Sequence, residues 1–219
     1  MLSDIKAAVF DLDGTLIDSM GVWERVDRSF LSKHGFPQDE YYIEQLRNKN
    51  YREAVEFTLD YLKVDLTPEE LMAEWDEMAI WEYGHSIPLK EGAHELLAYC
   101  KSKNMPIILA TVSNPGLYET VLKRHDIYDY FTGFTSEEAA DKGKSDPFIY
   151  LEAASIAGVT PGECIVFEDI LKGIQSASSA GFVTCAVEDA SQWKDRDQIK
   201  AAADLYVRDL TEALSVLRT

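Results

Sequence analysis

Six short apolar runs, rich in β-branched and aromatic residues and bounded by turn signals, constrain this chain more than any other feature. They are Ile5 to Leu12, Pro106 to Val112, Tyr130 to Thr135, Glu163 to Phe167, Phe182 to Val187 and Ala203 to Val207. Stretches of helical period lie between most of them. Leu96, Leu97 and Cys100 mark one; Tyr150, Leu151, Ala154 and Ala157 mark another. Ile174, Ala177 and Ala180 mark a third, closed by Gly181, a residue suited to a helix C-terminus. Strands that alternate with helices predict an α/β sandwich with a mainly parallel sheet.

One interval breaks the alternation. Between Asp18 and Pro88 no run reads as a strand. Trp23, Val26 and Phe30 follow a helical spacing, as do Ala54, Phe57, Leu59 and Leu62. Thr67-Pro68-Glu69-Glu70 is a strong helix start: Thr67 caps, Pro68 fits the first turn and Glu70 can bond back. Leu71, Trp75 and Met78 then form an apolar stripe. The expectation is an all-helical domain, residues 18–88, inserted into a core domain made of residues 1–17 and 89–219, with Ile87-Pro88-Leu89 as the hinge. The similar Thr160-Pro161-Gly162-Glu163 is read as a turn into a strand, because Ile165-Val166-Phe167 follows.

Composition narrows the class. With 46% hydrophobic and 27% charged residues in 219, a folded core is expected rather than disorder. A formal net charge of −18 argues against a nucleic-acid surface. No apolar run reaches the ~18 residues of a membrane span, and Met1 to Lys6 reads as the start of the fold rather than a signal peptide. Cys100, Cys164 and Cys185 share no metal-ligand spacing and read as buried, reduced thiols. A cytoplasmic protein, monomeric or a weak homodimer, is expected.

Three of the apolar runs end in chemistry. The first ends in Asp11-Leu12-Asp13-Gly14-Thr15, the second in Thr111-Val112-Ser113-Asn114, and the fourth in Glu168-Asp169. In a parallel sheet the C-terminal strand ends share one edge, where ligands bind. Carboxylates gathered there repel and need a cation; oxygen donors without His or Cys fit a hard ion such as Mg²⁺. Thr111, Ser113, Asn114 and Lys144 suit phosphate oxygens, and an Asp shielded by metal and lysine can act as a nucleophile.

Taken in order, these residues resemble the haloacid dehalogenase superfamily. Asp11-Leu12-Asp13-Gly14-Thr15 is similar to its first motif, Thr111 to the second, Lys144 to the third and Glu168-Asp169 to the fourth. The helical insert resembles the cap of the group that holds phosphoglycolate phosphatases and β-phosphoglucomutases. The resemblance implies a Rossmann-like core with a helical cap, and an Mg²⁺-dependent phosphatase acting on a small phosphorylated metabolite. It implies Asp11 as nucleophile and Asp13 as acid and base. It also implies Asp11, the Asp13 carbonyl, Glu168 and Asp169 around the metal, and Thr111, Ser113, Asn114 and Lys144 around the phosphoryl group. The third motif departs from the family pattern: Lys144-Ser145-Asp146-Pro147 lacks the first proline and the trailing acid, and Lys142 stands as an alternative lysine.

Arg47 and Arg52 are the candidates in the insert for a second anionic group of the substrate; pairing with nearby glutamates is the competing reading. A phosphosugar mutase is the second functional reading, weakened because Trp23 stands where the mutases carry a His. A dehalogenase would lack Asp13. A phospho-acceptor signalling domain, of another class, would be shorter and have no helical insert.

Overall fold

A computed structural model of the chain describes residues 4–47 and 49–218. The chain divides into two compact units: Gly21–Ser86, and the segments on either side of it.

The larger unit opens with β1 (Ala7–Phe10), and the insert follows with α1 (Val22–Lys33), α2 (Glu40–Leu46), α3 (Tyr51–Leu62) and α4 (Pro68–His85). The larger unit then resumes with α5 (Ala93–Ser102), β2 (Ile107–Leu109), α6 (Pro115–Arg124), β3 (Gly133–Phe134), α7 (Glu137–Lys142), α8 (Phe148–Ala157) and β4 (Cys164–Glu168). It closes with α9 (Leu171–Ser179), β5 (Val183–Val187), α10 (Arg196–Ala202), β6 (Leu205–Val207) and α11 (Leu210–Leu217). The strands form one sheet in the order β3-β2-β1-β4-β5-β6, and every pairing is parallel.

Every residue of β1 and of β4 is buried, which is why both read as continuous apolar runs rather than alternating ones. Ile149, Tyr150, Ala153 and Ala154 of α8 pack with Val9, Ile108 and Val166 on one face. Phe10 and Phe167 stack with centroids 4.5 Å apart. The register fixes the edge: Phe10 pairs with Leu109 on one side and Phe167 on the other. The residues one step beyond, Asp11, Ala110 and Glu168, therefore emerge level with one another. Ladder bonds run slightly past the strand ends, with Ala110 N–H donating to the Phe10 carbonyl at 2.8 Å and Asp11 N–H to that of Phe167 at 3.0 Å.

The segments that lead out of the larger unit and back into it lie side by side. Asp18 N–H donates to the Pro88 carbonyl at 3.0 Å and Lys90 N–H to that of Leu16 at 2.9 Å. Lys90 is further tied to Asp189 through a 2.6 Å ion pair.

The insert is helical throughout its regular elements. Val22, Val26, Phe30 and Leu31 form the buried face of α1, and Leu71, Trp75 and Ala79 that of α4. Thr67 and Glu70 form a complete capping box with Pro68 in the first turn, as the sequence predicts. The face of α3 differs from expectation. Ala54, Val55 and Thr58 are buried, whereas Phe57, Leu59 and Leu62 are half-exposed. Thr58 belongs to the core because its hydroxyl meets the Tyr42 hydroxyl at 2.9 Å. In the larger unit, Pro161–Glu163 forms a single 3₁₀ turn with a capping box of its own before β4 begins, so that segment is more helical than a plain turn.

Candidate active site

The edge at the C-terminal ends of β1, β2 and β4 gathers the polar residues of three motifs. Lys144 lies at its centre, buried. Its ammonium donates to Asp11 Oδ1, to Glu168 Oε2 and to the Ala110 carbonyl, each at 2.7 Å, so all three N–H groups are used. Lys142 is elsewhere: it is exposed, pairs with Glu138 at 3.2 Å and lies over the Phe148 ring. Burial works against the Lys144 charge, but Asp11 and Glu168 outweigh it and raise its pKa.

The carboxylates show the opposite balance. Burial first, then the Glu168 charge, lifts Asp11 to about 7, partly offset by Lys144. Asp169 is lifted to about 9 by burial, then by Glu168 and Asp11. One ammonium is too little for this group. Oxygens of Asp11, Glu168 and Asp169 lie within 4.8 Å of one another, and all three residues are buried. Among the described residues, Glu168 Oε1 and Asp169 Oδ2 are buried without a hydrogen bond. An all-oxygen set with two such atoms fits a hard divalent cation.

Local structure explains how the acids come so close. After β1 the chain turns tightly, Leu16 and Ile17 N–H both donating to the Leu12 carbonyl. Gly14 has φ +89°, and a Cβ there would stand 2.4 Å from Asp169 Oδ2. Asp13 extends to the second strand end, where the Ser113 hydroxyl donates to its Oδ2 at 2.6 Å. Thr111 is buried, and its hydroxyl accepts from Ser113 N–H at 3.0 Å. Asn114 is exposed, with its side-chain oxygen accepting from Leu117 N–H at 3.1 Å to cap α6.

Two further groups hold the carboxylates: Tyr150, read from the sequence only as a helix-face residue, and Thr15, which closes the first motif without an assigned role. The Tyr150 hydroxyl donates to Glu168 Oε2 at 2.9 Å, and Thr15 donates to Asp169 Oδ1 at 3.3 Å. The helical phase of α8 marks Tyr150 as inward-facing, but nothing in that periodicity distinguishes a ring that fills space from a hydroxyl that holds a carboxylate. In the insert, Arg47 donates to Glu24 at 2.9 Å and Glu44 at 2.8 Å, while Arg52 is exposed.

A parallel α/β core with a helical region between its first two strands, and this acid-lysine cluster on its edge, is the arrangement of the haloacid dehalogenase fold. Residues 5–181 match the haloacid dehalogenase-like hydrolases, and the chain belongs to that family of enzymes. It is 28% identical over 218 residues to hexitol phosphatase B of Escherichia coli (strain K12), covering 95% of this chain and 94% of that protein. It is also 28% identical over 215 residues to beta-phosphoglucomutase of Bacillus subtilis (strain 168), covering 95% and 91%. A Thermotoga maritima crystal structure, described as a candidate beta-phosphoglucomutase, superposes with a TM-score of 0.85 at 26% identity, over 98% of this chain and 99% of that one. Among the described residues no helix is long and apolar enough to cross a membrane.

Proposed function

We propose that this enzyme hydrolyses the phosphate monoester of a small metabolite, a phosphorylated sugar or a similar compound, through an aspartyl-phosphate on Asp11. The observation that carries the reading is the convergence of Lys144, Glu168 and Asp169 on Asp11. A carboxylate lifted to about 7 and held by a lysine is poised for attack on an anion once further positive charge is present. Asp11, Glu168 and Asp169, with the Asp13 carbonyl, are the groups that would hold Mg²⁺. When bound, the ion neutralises these carboxylates and the phosphoryl oxygens.

The steps follow from the chain's own groups. The Asp11 carboxylate attacks phosphorus in line while the bond to the leaving oxygen breaks, and Asp13 gives that oxygen a proton. Asp13, now ionised, takes a proton from water. The water oxygen attacks phosphorus, the bond to Asp11 breaks, and inorganic phosphate is released. Ser113 holds Asp13 from the second strand end. The Thr111 hydroxyl and the Asn114 amide supply donors toward the phosphoryl oxygens and Lys144 supplies charge, whereas both donors of Ser113, expected beside the phosphate, are engaged by Asp13 and Thr111.

The phosphatase relative supports hydrolysis, and the mutase relative at the same identity keeps phosphoryl return to the sugar as the second reading. A mutase must hold a second phosphate, and Arg47, a candidate to do so, is already engaged by two glutamates. The test is release of inorganic phosphate, with Mg²⁺, from a panel of phosphorylated sugars, sugar alcohols, nucleotides and short acids, with analysis of the sugar product. Asp11→Asn should abolish release while the fold persists; wild-type turnover in that variant would sink the mechanism.

A further inference from the structure

Each acid of the carboxylate edge is held by the protein through one of its two oxygens. Lys144 donates to Asp11 Oδ1 at 2.7 Å. Glu168 Oε2 accepts twice, from Lys144 at 2.7 Å and from the Tyr150 hydroxyl at 2.9 Å. Asp169 Oδ1 accepts from the Thr15 hydroxyl at 3.3 Å. The other oxygens of the last two residues, Glu168 Oε1 and Asp169 Oδ2, are buried and take no hydrogen bond among the described residues. In both, one oxygen is committed to a protein donor and one is left for a cation.

Backbone packing keeps this division in place. A Cβ on Gly173 would stand 2.6 Å from Glu168 Cγ and Cδ, so α9 lies directly against that carboxylate. A Cβ on Gly14 would stand 2.8 Å from Asp169 Cγ, so the turn after β1 does the same for Asp169. A close-packed carboxylate with one oxygen bonded turns only by giving up that bond. Tyr150 is itself fully buried. Its ring meets that of Phe182 with centroids 6.3 Å apart, and the Lys144 ammonium lies 5.4 Å from its centroid. A phenylalanine would fill the same space and face the same ammonium. What the Tyr150 hydroxyl adds is its bond to Glu168.

The consequence concerns cation size. Mg²⁺ requires a near-ideal octahedron, keeps several waters and is served by single carboxylate oxygens. Ca²⁺ is larger, gathers about six to eight oxygens and often takes both from one carboxylate. A carboxylate whose second oxygen already accepts from a buried hydroxyl can serve Mg²⁺ without loss. To chelate Ca²⁺ it must break that bond and leave the hydroxyl unpaired.

We propose that Tyr150, together with Thr15, is a positioning residue that confines Glu168 and Asp169 to one cation-facing oxygen each, and so makes the site favour a small octahedral cation over Ca²⁺. The proposal rests on the metal part of the phosphatase reading and on no property of the substrate.

The test is calorimetric titration of the full chain, stripped with chelator, with Mg²⁺ and separately with Ca²⁺. The ratio of the Ca²⁺ Kd to the Mg²⁺ Kd should fall about fivefold or more in Tyr150→Phe. It should fall less in Thr15→Val, whose lost bond is the longer one. A packing role for Tyr150 would lower the Tm of Tyr150→Phe and leave the ratio where it was. Should Tyr150→Phe fail to fold, Thr15→Val carries the test. An unchanged ratio in the folded variants overturns the proposal. Placed on a Glu168→Gln background, Tyr150→Phe should change the ratio little further, because it acts through that carboxylate; a full, additive change would overturn it. A wild type that binds no Mg²⁺ overturns both the proposal and the metal reading beneath it. One that binds Mg²⁺ with this selectivity but hydrolyses no phosphomonoester supports the proposal and sinks the phosphatase reading alone.

Discussion

The Ser113 hydroxyl donates to Asp13 Oδ2 at 2.6 Å, linking residues a hundred positions apart in the chain at the ends of neighbouring strands. If Asp13 shuttles the proton, Ser113 holds it in the geometry that transfer needs. Ser113→Ala should lower kcat by about tenfold to a hundredfold with a smaller change in KM. Steady-state kinetics on an aryl phosphate checks this, and an aryl ester with a better leaving group, which needs less proton donation, should suffer less.

Lys144 compensates two buried acids. Lys144→Met leaves Asp11 and Glu168 facing each other without their common cation, and should cost about 3–5 kcal/mol in urea unfolding without added metal. Mg²⁺ should recover part of that loss, because it supplies charge to the same carboxylates. A variant as stable as the wild type in chelator would show that the ion pairs contribute nothing.

Gly173 gives a case where the usual sign reverses. Replacing a glycine inside a helix by alanine ordinarily stabilises by about 1 kcal/mol. Here a Cβ would stand 2.6 Å from Glu168 Cγ and Cδ and 2.7 Å from the Tyr150 hydroxyl. Gly173→Ala should therefore lower the Tm and displace Glu168, read as weaker activation by Mg²⁺. A raised Tm with normal activation contradicts the packing described.

Asp27 makes stability depend on pH in the direction opposite to a salt-bridged acid. Its carboxyl titrates at about 7 in the folded chain, against about 3.9 unfolded. Below pH 4 both states hold the proton and nothing is lost. Between pH 4 and 7 the unfolded state releases a proton the folded state keeps, so stability falls as pH rises, and the loss is complete above 7. Burial is the main cause of the raised value, and Glu24 on the same helix adds to it. Asp27→Asn should match the wild type near pH 4 and exceed it at pH 8 by on the order of a few kcal/mol. Parallel unfolding curves at the two pH values settle the sign.

Much of the larger unit was legible because β1, β2, β4 and β5 are buried along their whole length and so stand out as apolar runs. The edge residues were legible for a related reason: Asp11, Thr111 and Glu168 are the polar residues at which those runs stop. The expected runs overshoot the strands, since Asp11, Leu12 and Ala110 to Val112 continue the apolar pattern or the ladder after regular pairing ends. The insert was harder to read. Its α3 face turns on Thr58, and its α1 face includes Asp27, both polar residues that hydrophobic periodicity assigns to the outside. Tyr150 was invisible as a site residue for the same kind of reason, because a hydroxyl on an inward face leaves no periodic trace.

The adjacency of Asp18 to Pro88, and of Leu16 to Lys90, gives the fold a seam. A chain that departs and re-enters through two mutually bonded segments treats everything between as one excursion, however long, and closing a longer loop adds little entropy cost. The sheet order and the carboxylate edge are set without reference to that excursion. Sequence beyond the seam is therefore free to drift, lengthen or be grafted from another protein while the reaction machinery is inherited intact.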